Sequence, residues 1–303
     1  MFTQILFTVI VPVFIIIGIG MIMERAFKLD QPTLSKLNFY AFVPALSFVK
    51  IVEMKFTASE LGLIVLFSAA LAAILFVIAY AVSLHPAIRN HRTVFMQESI
   101  FTNCGNFGLP FIALSVGPDA VAVMAIIIIF QNILTFTLGV WMFERKRTPL
   151  SKIVSGLLKI PVLYAVVVGG LLHYLSVKAQ ISIPEPVMIP LRYLSDGLIP
   201  LALLTLGTEL SRSRFSSNIG PLAAIGFLRL VLSPAIAMVM ILAFNIPDPL
   251  SRILLYAAGF PVAVNVFIMA AEYKQDAEFA SQSIFWSTLA SAVTLSALVA
   301  LYR

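Results

Sequence analysis

Ten apolar runs, each about as long as a lipid bilayer is thick, occupy most of the chain. A helix that crosses the ~30 Å hydrocarbon core needs roughly 20 predominantly apolar residues, because it rises about 1.5 Å per residue. The runs therefore predict an all-α polytopic membrane protein with ten spans and no separate soluble domain. The predicted spans cover residues 4–23, 33–53, 60–82, 94–116, 119–143, 153–176, 187–209, 219–243, 250–272 and 280–301.

Composition agrees with this class and argues against others. Hydrophobic residues make up 60% and charged residues 11% of the 303, and the mean hydropathy is +1.02, outside the range of soluble globular domains. The net charge is +6, but most basic residues lie in short segments between the apolar runs and do not form a patch or stripe. Nucleic acid is therefore not a predicted partner. A single cysteine, Cys104, excludes an intramolecular disulfide.

Several function classes lack their sequence signals. The chain has no Gly-rich phosphate loop, no paired metal ligands and no nucleophile with a nearby base. We therefore predict neither an enzyme nor a primary pump, and no metal or cofactor. The first apolar run has no basic stretch before it and no small-residue cleavage site, so we expect it to be retained as a span.

The distribution of Lys and Arg predicts the orientation in the membrane. The loops that follow odd-numbered spans hold twelve of these residues, and the even-numbered loops with the C-terminus hold five. Basic residues concentrate in cytoplasmic loops, so the odd loops should be cytoplasmic. The strongest signal is the stretch 144–147. Ten spans then place both termini outside the inner (plasma) membrane.

The two halves of the chain resemble each other weakly. Gly108 and Pro110 in span four have counterparts in Gly259 and Pro261 of span nine, and Pro44 of span two has one in span seven at Pro200. Because each unit has five spans, the second unit enters the membrane from the opposite side, which predicts an inverted repeat. The simpler alternative is that Pro and Gly are common in membrane helices. The predicted units are residues 1–147 and 148–303.

Spans four and nine cannot be regular helices at these positions. Pro110 has no N–H and clashes with the carbonyl four residues before it, while Gly108 lowers the cost of leaving helical geometry. Broken helices at membrane depth expose backbone groups that need protein, water or a ligand, so the breaks predict a cavity.

Polar side chains flank both breaks. Asn103 and Asn106 precede Pro110, and Asn265 follows Pro261. If the two spans cross at their breaks, half-helix N-termini and amide groups converge on a site that suits a carboxylate. The alternative is that the asparagines only tie helices together by hydrogen bonds.

Charged residues inside the predicted spans form a second set of candidates, because charge within a bilayer is costly. Arg229 in span eight is a candidate cation for an organic anion, or it pairs with an acid of another span. Glu98 and Asp196 are candidates to carry a coupling proton or to pair with an arginine. Charges near span ends are expected to reach the interface instead; these are Lys50, Lys159, Arg192, Glu209 and Glu272.

Several of these segments resemble the auxin efflux carrier family, which includes bacterial carriers named as malate or malonate permeases. The first half of the resemblance lies at residues 103–117 and 130–139, and the second half at 261–265, 269–273 and 283–294. The resemblance extends over all ten spans. The link between spans five and six is short here, unlike that of many plant members, so the chain resembles the bacterial branch.

The resemblance implies a fold like those of sodium/proton antiporters and bile-acid symporters. Spans 3–5 and 8–10 would form a mobile transport domain, and spans 1, 2, 6 and 7 a scaffold that dimerises. The substrate would bind where spans four and nine cross and would be exposed to either side by an elevator-like shift.

The predicted function is a secondary active or facilitative carrier of small organic anions, namely mono- or dicarboxylates such as malate, malonate or auxin-like acids. Protons or sodium are candidate coupling ions. The alternatives are a sodium-coupled symporter of another organic solute on the same fold and a membrane receptor that does not transport.

Overall fold

The computed structural model describes residues 6–53, 58–143, 155–156, 158–179, 183–213 and 219–302. The basic stretch 144–147 and the predicted boundary between the two units lie outside these residues. The described residues are helical almost throughout, and they contain only one isolated antiparallel bridge, so the all-α prediction is confirmed.

We number the helices by the span that each one occupies, with a and b for the two halves of an interrupted helix. They are α1 Leu6–Phe27, α2 31–52, α3 Ala58–Val82, α4a Arg92–Ile100, α4b Cys104–Ser115, α5 Pro118–Phe143, α6 Pro161–Ala179, α7 Glu185–Arg212, α8 Ile219–Phe244, α9a Leu250–Ala258, α9b Val264–Glu272 and α10 Ala277–Leu301.

Six helices of the described residues are long and apolar enough to cross a membrane without interruption: α1, α3, α5, α7, α8 and α10. The other four predicted spans are occupied by α2, the shorter α6 and the interrupted helices α4 and α9. Spans four and nine are therefore both broken. Span nine breaks at Gly259–Pro261 as predicted, but span four breaks at residues 101–103, before the predicted position at Gly108–Pro110. The inverted orientation of the two halves stays a prediction.

Prolines explain most of the widened helical turns. A π turn of five residues ends two positions before each of Pro12, Pro44, Pro110 and Pro234. The proline ring clashes with the carbonyl four residues earlier and cannot donate to it, and a wider turn moves that carbonyl away. The helices consequently continue through these prolines, and the true break of α4 lies before Pro110, at residues 101–103.

Helices α1 and α7 pack backbone against backbone. A Cβ atom on Gly20 would lie 2.3 Å from the carbonyl oxygen of Leu204, and one on Gly207 would lie 2.1 Å from that of Ile17. Only glycine allows this approach, which resembles the small-residue contacts of membrane helix pairs. Helix α7 also packs on α2, and α2 packs on α6, so these four helices form one packed group.

The remaining helices pack as a second group. Helix α3 contacts α4a and α5, α8 contacts α9a and α10, and α9b contacts α10. The interrupted helices α4 and α9 lie inside this group, where most residues of α4a and α9a are buried. Helix α7 touches the start of α4b and α2 touches α5, so the breaks lie where the two groups meet.

Candidate functional site

The breaks of α4 and α9 lie side by side and are joined by main-chain hydrogen bonds. The N–H of Asn103 donates to the carbonyl of Pro261 at 2.9 Å, and the N–H of Ala263 donates to the carbonyl of Phe101 at 3.2 Å. Thr102 and Val262 form the antiparallel bridge between them. This crossover satisfies backbone groups that the missing helical turns leave open.

Aromatic rings fill the space behind the crossover. Phe260 contacts Phe107 and Phe111 edge to face, with ring centroids 6.0 and 5.7 Å apart. A Cβ on Gly108 would lie 2.5 Å from the Phe260 ring, so a glycine is needed at that position. Pro110 and Pro261 are buried and do not line the central cavity described below. Among the predicted site residues, Gly108, Pro110 and Pro261 therefore lie within the crossover and do not line the central cavity.

Arg229 lies where α4a and α9a, the first halves of the two interrupted helices, end. Its Nη1 donates to the carbonyl of Ser99 at 3.0 Å, and its Nη2 donates to those of Ala258 and Phe260 at 3.1 and 3.4 Å. Ser99 and Ala258 belong to the C-terminal ends of α4a and α9a, which carry partial negative charge, and Phe260 lies in the break just after α9a. Arg229 is 1% exposed, does not line the central cavity, and takes part in no ion pair of the described residues.

The N-terminal ends of α4b and α9b, the second halves of the interrupted helices, carry partial positive charge and face a cavity. Helices α4b and α9b begin at Cys104 and Val264, and both starting turns border a central cavity of about 280 Å³. Two helix N-termini that point to one space favour a negatively charged ligand. The cavity is also bordered by α2, α5, α6 and α7. Its polar lining residues include Ser35, Lys36, Asn38, Thr102, Asn103, Asn106, Gln131, Asn132, Thr135, Glu209 and Asn265.

All three predicted asparagines line this cavity. Asn103 is 5% exposed and its side-chain Nδ2 has no hydrogen-bond partner within the described chain. Asn106 is half-buried and Asn265 is exposed to the cavity. Amide groups can donate to a carboxylate without the desolvation cost of a buried charge. The structure therefore brings Asn103, Asn106 and Asn265 together, although they come from opposite halves of the chain.

Helix α5 supplies polar residues that the sequence analysis did not place in the site. Gln131 and Asn132 line the cavity from the middle of α5, together with Thr135. The Oε1 atom of Gln131 is buried without a partner in the described residues. Their signal is visible in the sequence, because two adjacent amides interrupt a run of Ile and Phe, but only the packing of α5 shows that they face α4b.

The cavity extends to one end of the bundle. Helix α2 contributes its first half, from Ser35 to Val43, while α6 contributes only its first turn at Val162 and α7 only its last turns at Glu209. These ends adjoin the loops with the excess of basic residues, which is the predicted cytoplasmic side. A second cavity of about 340 Å³ lies beside it, and Glu209 and Val264 line both.

Glu209 does not extend to the interface as expected for a charge near a span end. Its Oε1 accepts a hydrogen bond from Nε2 of Gln31 at 3.1 Å, and its Oε2 is buried without a partner among the described residues. Helix α2 packs on α7, and Glu209 lines the cavity together with residues of α2 and with Val264 of α9b.

The two predicted coupling acids lie away from the cavity. Glu98 is fully buried in α4a, where its Oε1 accepts a hydrogen bond from the hydroxyl of Ser283 and its Oε2 has no partner in the described residues. Asp196 is exposed on α7. Arg192 pairs with Glu53 and Glu185, at 3.3 Å each, and not with Asp196. Within the described ranges no group of three or more His, Cys, Asp and Glu side chains could hold a metal ion.

Comparison with known proteins identifies the family. The family described as "Membrane transport protein" matches the chain twice, over residues 5–157 and 147–299. The chain belongs to this family, that of the auxin efflux carriers. It is therefore a multi-pass membrane protein of a transporter family, and nothing in the family's description points to an enzyme.

Two relatives of this auxin efflux carrier family member carry transporter names. A protein of Rhizobium meliloti named "Putative malonate transporter" is 24% identical over 309 residues, which cover 97% of this chain and 95% of that protein. An "Uncharacterized transporter" of Methanocaldococcus jannaschii is 27% identical over 146 residues, which cover 48% of this chain and 46% of the relative. That second match thus spans about half the length of each protein.

Proposed function

We propose that the protein is a secondary carrier of small organic anions of the carboxylate class, and that the anion binds in the central cavity at the crossover. The observation that carries this proposal is the meeting of two half-helix N-termini and several amide side chains in one cavity. The family and the name of the full-length relative support a transporter.

The substrate site consists of Asn103, Asn106 and Asn265, held by a crossover that Gly108, Pro110 and Pro261 shape. Their amide donors and the first N–H groups of α4b and α9b bind a carboxylate group. Arg229 acts through the crossover: it neutralises the negative helix ends on one side and so leaves the positive ends to the anion.

The proposed mechanism is alternating access by an elevator-like shift. Helices α3–α5 and α8–α10 form the transport domain, and α1, α2, α6 and α7 form a scaffold that also makes a homodimer. The cavity lies where these two packed groups meet, so a rigid shift of one group changes the side to which the anion is exposed. Protons or sodium remain the candidate coupling ions, with Glu98 and Asp196 as the acids proposed for protons, and the proposed location is the inner membrane with both termini outside.

The test is uptake of radiolabelled carboxylates by proteoliposomes, with pH and sodium gradients varied independently. Asn106→Ala and Asn265→Ala should each abolish saturable uptake and counterflow, because each removes donors to the anion. Asn90→Ala is the matched control, since Asn90 is exposed in a short turn away from the cavity. All variants are compared at equal amounts of folded protein in the membrane.

Three results would contradict this proposal. Unchanged uptake in both asparagine variants would move the site away from the crossover. Binding of a carboxylate without flux or counterflow would favour the receptor, and uptake of only uncharged or cationic solutes would favour another symporter.

A further inference from the structure

The second cavity, of about 340 Å³, has walls from both packed groups of helices. The side that belongs to α2 and α7 includes Gln31 and Glu209, and the side that belongs to α9b and α10 includes Phe267 and Glu278. Its volume lies at the lower end of the range of small-molecule sites, roughly 300–1,000 Å³. A molecule in this cavity would therefore contact both groups at once.

The charged residues of this cavity favour a cation. Among its described lining residues, Glu209 and Glu278 are the acids and Arg212 is the only Lys or Arg. The Nε of Arg212 donates to Glu24 at 2.8 Å and its Nη2 donates to the carbonyl of Leu29 at 2.7 Å, so its charge is already paired. Neither lining acid takes part in an ion pair of the described residues. A cation in the cavity would thus meet two acids without counter-charges.

Glu209 has one carboxyl oxygen that no group of the described chain satisfies. Gln31 donates to its Oε1 at 3.1 Å, while its Oε2 is buried and has no partner among the described residues. An ionised carboxylate without a counter-charge is costly to bury, so this oxygen needs either a proton or a bound cation. Proton and cation compete for it, and binding of one cation releases at most one proton to the solvent.

The other titratable and charged groups around Glu209 come from several helices. Helix α9b presents no titratable group to either cavity among the described lining residues. The groups are Lys36 and Cys104 in the central cavity, Arg212 and Glu278 in the second cavity, and Glu24 of α1, which pairs with Arg212. Because Glu24 is paired with a cation and Glu278 is exposed, we assign the exchanged proton to Glu209.

The rest of the lining indicates the chemical class of the cation. Val264, Phe267 and Ile284 provide apolar surface beside the acids, and an aromatic ring attracts an ammonium group. A bare metal ion needs a compact shell of ligands, and the described ranges hold no group of three or more His, Cys, Asp and Glu side chains that could form one. An ammonium group with an apolar body fits this lining, with the charge toward the acids and the body against the apolar side chains.

We propose that the second cavity binds a small organic ammonium ion, and that the bound ion holds the two packed groups of helices in the present arrangement. The second part rests on the proposed function, in which one group shifts against the other. A ligand that contacts both groups stabilises the arrangement to which it binds. The ion is therefore an inhibitor of transport that acts outside the anion site.

The first experiment measures equilibrium binding of n-butylammonium and of n-butanol to the full-length protein in detergent. The two probes are similar in size and differ in charge. Butylammonium should bind roughly tenfold to a hundredfold more tightly, the range for hydrogen bonds that involve a charged group. Its binding should tighten as the pH rises, because fewer protons compete, and calorimetry in buffers of different ionisation enthalpy should detect the released proton.

Three variants locate the site. Glu209→Gln keeps a hydrogen-bonding group for Gln31, and should weaken butylammonium binding by roughly tenfold or more and abolish proton release. Glu278→Gln should weaken binding by up to about fivefold, because Glu278 is exposed. Glu272→Gln is the matched control, since Glu272 is an exposed acid at the end of α9b that does not line the cavity.

Equal binding of butanol and butylammonium, or unchanged butylammonium binding in Glu209→Gln, would overturn the proposal. Should Glu209→Gln fail to fold, the comparison of Glu278→Gln with Glu272→Gln decides the question. Equal affinities in those two variants would then contradict the site.

The second experiment measures carboxylate counterflow in proteoliposomes, which needs no pH gradient. Butylammonium should lower the maximal rate, and excess carboxylate should not restore it. Glu278→Gln should keep the basal rate and require more butylammonium for the same inhibition. Inhibition that excess carboxylate relieves would place the ion in the central cavity and overturn the second part of the proposal. If the unaltered protein shows no counterflow, the proposed function fails, and the binding experiment still tests the cation site.

Ammonium groups occur both on amine solutes and on ethanolamine lipids. Nanodiscs of phosphatidylglycerol, with and without phosphatidylethanolamine, distinguish these two sources. Weaker butylammonium binding in the presence of phosphatidylethanolamine would show that the lipid headgroup occupies the site. Equal binding in both membranes would assign the site to a soluble amine.

Discussion

Arg229 is a buried cation whose partners are main-chain carbonyls. Two of its three acceptors belong to the C-terminal ends of α4a and α9a, the third is the carbonyl of Phe260 in the break after α9a, and its Nε has no partner in the described residues. Removal of the side chain would take the donor from the buried carbonyls of Ser99 and Phe260 and leave the helix dipoles uncompensated, while the carbonyl of Ala258 would keep its hydrogen bond from Ser233 at 2.8 Å. The crossover geometry therefore depends on Arg229 even though the residue does not line the cavity.

Arg229→Gln should lower the stability of the detergent-purified protein by about 1–3 kcal/mol for each carbonyl left unpaired. Transport per folded molecule should fall as well, and Arg229→Lys should recover part of both because it restores the charge. Thermal unfolding and proteoliposome uptake provide the two measurements.

A matched substitution is Arg192→Gln, which removes an exposed arginine paired at 3.3 Å with two acids. Exposed pairs of this kind contribute about 0–1 kcal/mol, so this variant should stay near wild type. If Arg229→Gln keeps wild-type stability and transport, the hydrogen bonds from Arg229 to the carbonyls contribute to neither.

At the scale of single residues, the sequence predicted the positions of the amide side chains better than the positions and partners of the charged side chains. Asn103, Asn106 and Asn265 line the cavity because each lies in a helix break or within the first turn after it, and the Gly and Pro residues nearby mark these segments in the sequence. The partners of Arg229 could not be predicted, because every residue has a carbonyl and only the fold selects three of them. The position of Glu209 depends on how α2 packs on α7, which the sequence of α7 alone does not contain.

At the scale of helices, α1 and α7 approach each other so closely that only glycine fits at positions 20 and 207. The Cβ of an alanine at position 20 would lie 2.3 Å from a main-chain oxygen, and main chain cannot move aside as a flexible side chain can. The two helices would have to separate, which would disturb the packed group that borders the cavity.

Gly20→Ala should therefore destabilise the protein and lower its melting temperature. Gly18→Ala is its control on the same helix, since a Cβ there meets nothing within 4 Å. Because alanine favours a helix over glycine by about 1 kcal/mol, Gly18→Ala should be neutral or slightly stabilising. Equal melting temperatures for the two variants would contradict the close contact.

The helices show which local rules can be read from sequence. Apolar length predicted where the helices lie, and Pro110 and Gly108 predicted a break in α4, which the structure has at residues 101–103 instead. The proline rule did not distinguish a break from a widened turn, since Pro110, like Pro44 and Pro234, follows a π turn inside a continuous helix. A helix stays continuous where neighbouring packing satisfies the displaced carbonyl, and that depends on tertiary contacts.

At the scale of the whole molecule, the cavity is asymmetric. Its lining comes from the crossover and from helix ends that adjoin the basic loops, and the far halves of α2, α6 and α7 contribute none of the described lining. If the odd-numbered loops are cytoplasmic, as the distribution of Lys and Arg predicts, the cavity in this structure opens to the cytoplasm.

Sided chemical labelling tests this orientation. In a Cys104→Ser background, Ser35→Cys should react with a membrane-impermeant maleimide applied from the cytoplasmic side, because Ser35 lines the open end. Ser176→Cys, in the last turns of α6, should react only from the other side. Added malonate should slow the reaction at position 35 and leave that at 176 unchanged. Reaction at position 35 from the outside alone would reverse the proposed orientation.

The main-chain pairing of the crossover has a consequence for how such a protein changes over evolution. Asn103, Phe101, Pro261 and Ala263 hold the two breaks together through N–H and carbonyl groups, which substitution of a side chain leaves in place. The side chains that line the cavity are not needed for this pairing. Under the proposed function, a change of substrate therefore requires only exchanges among those side chains, and the main-chain framework of the crossover stays in place.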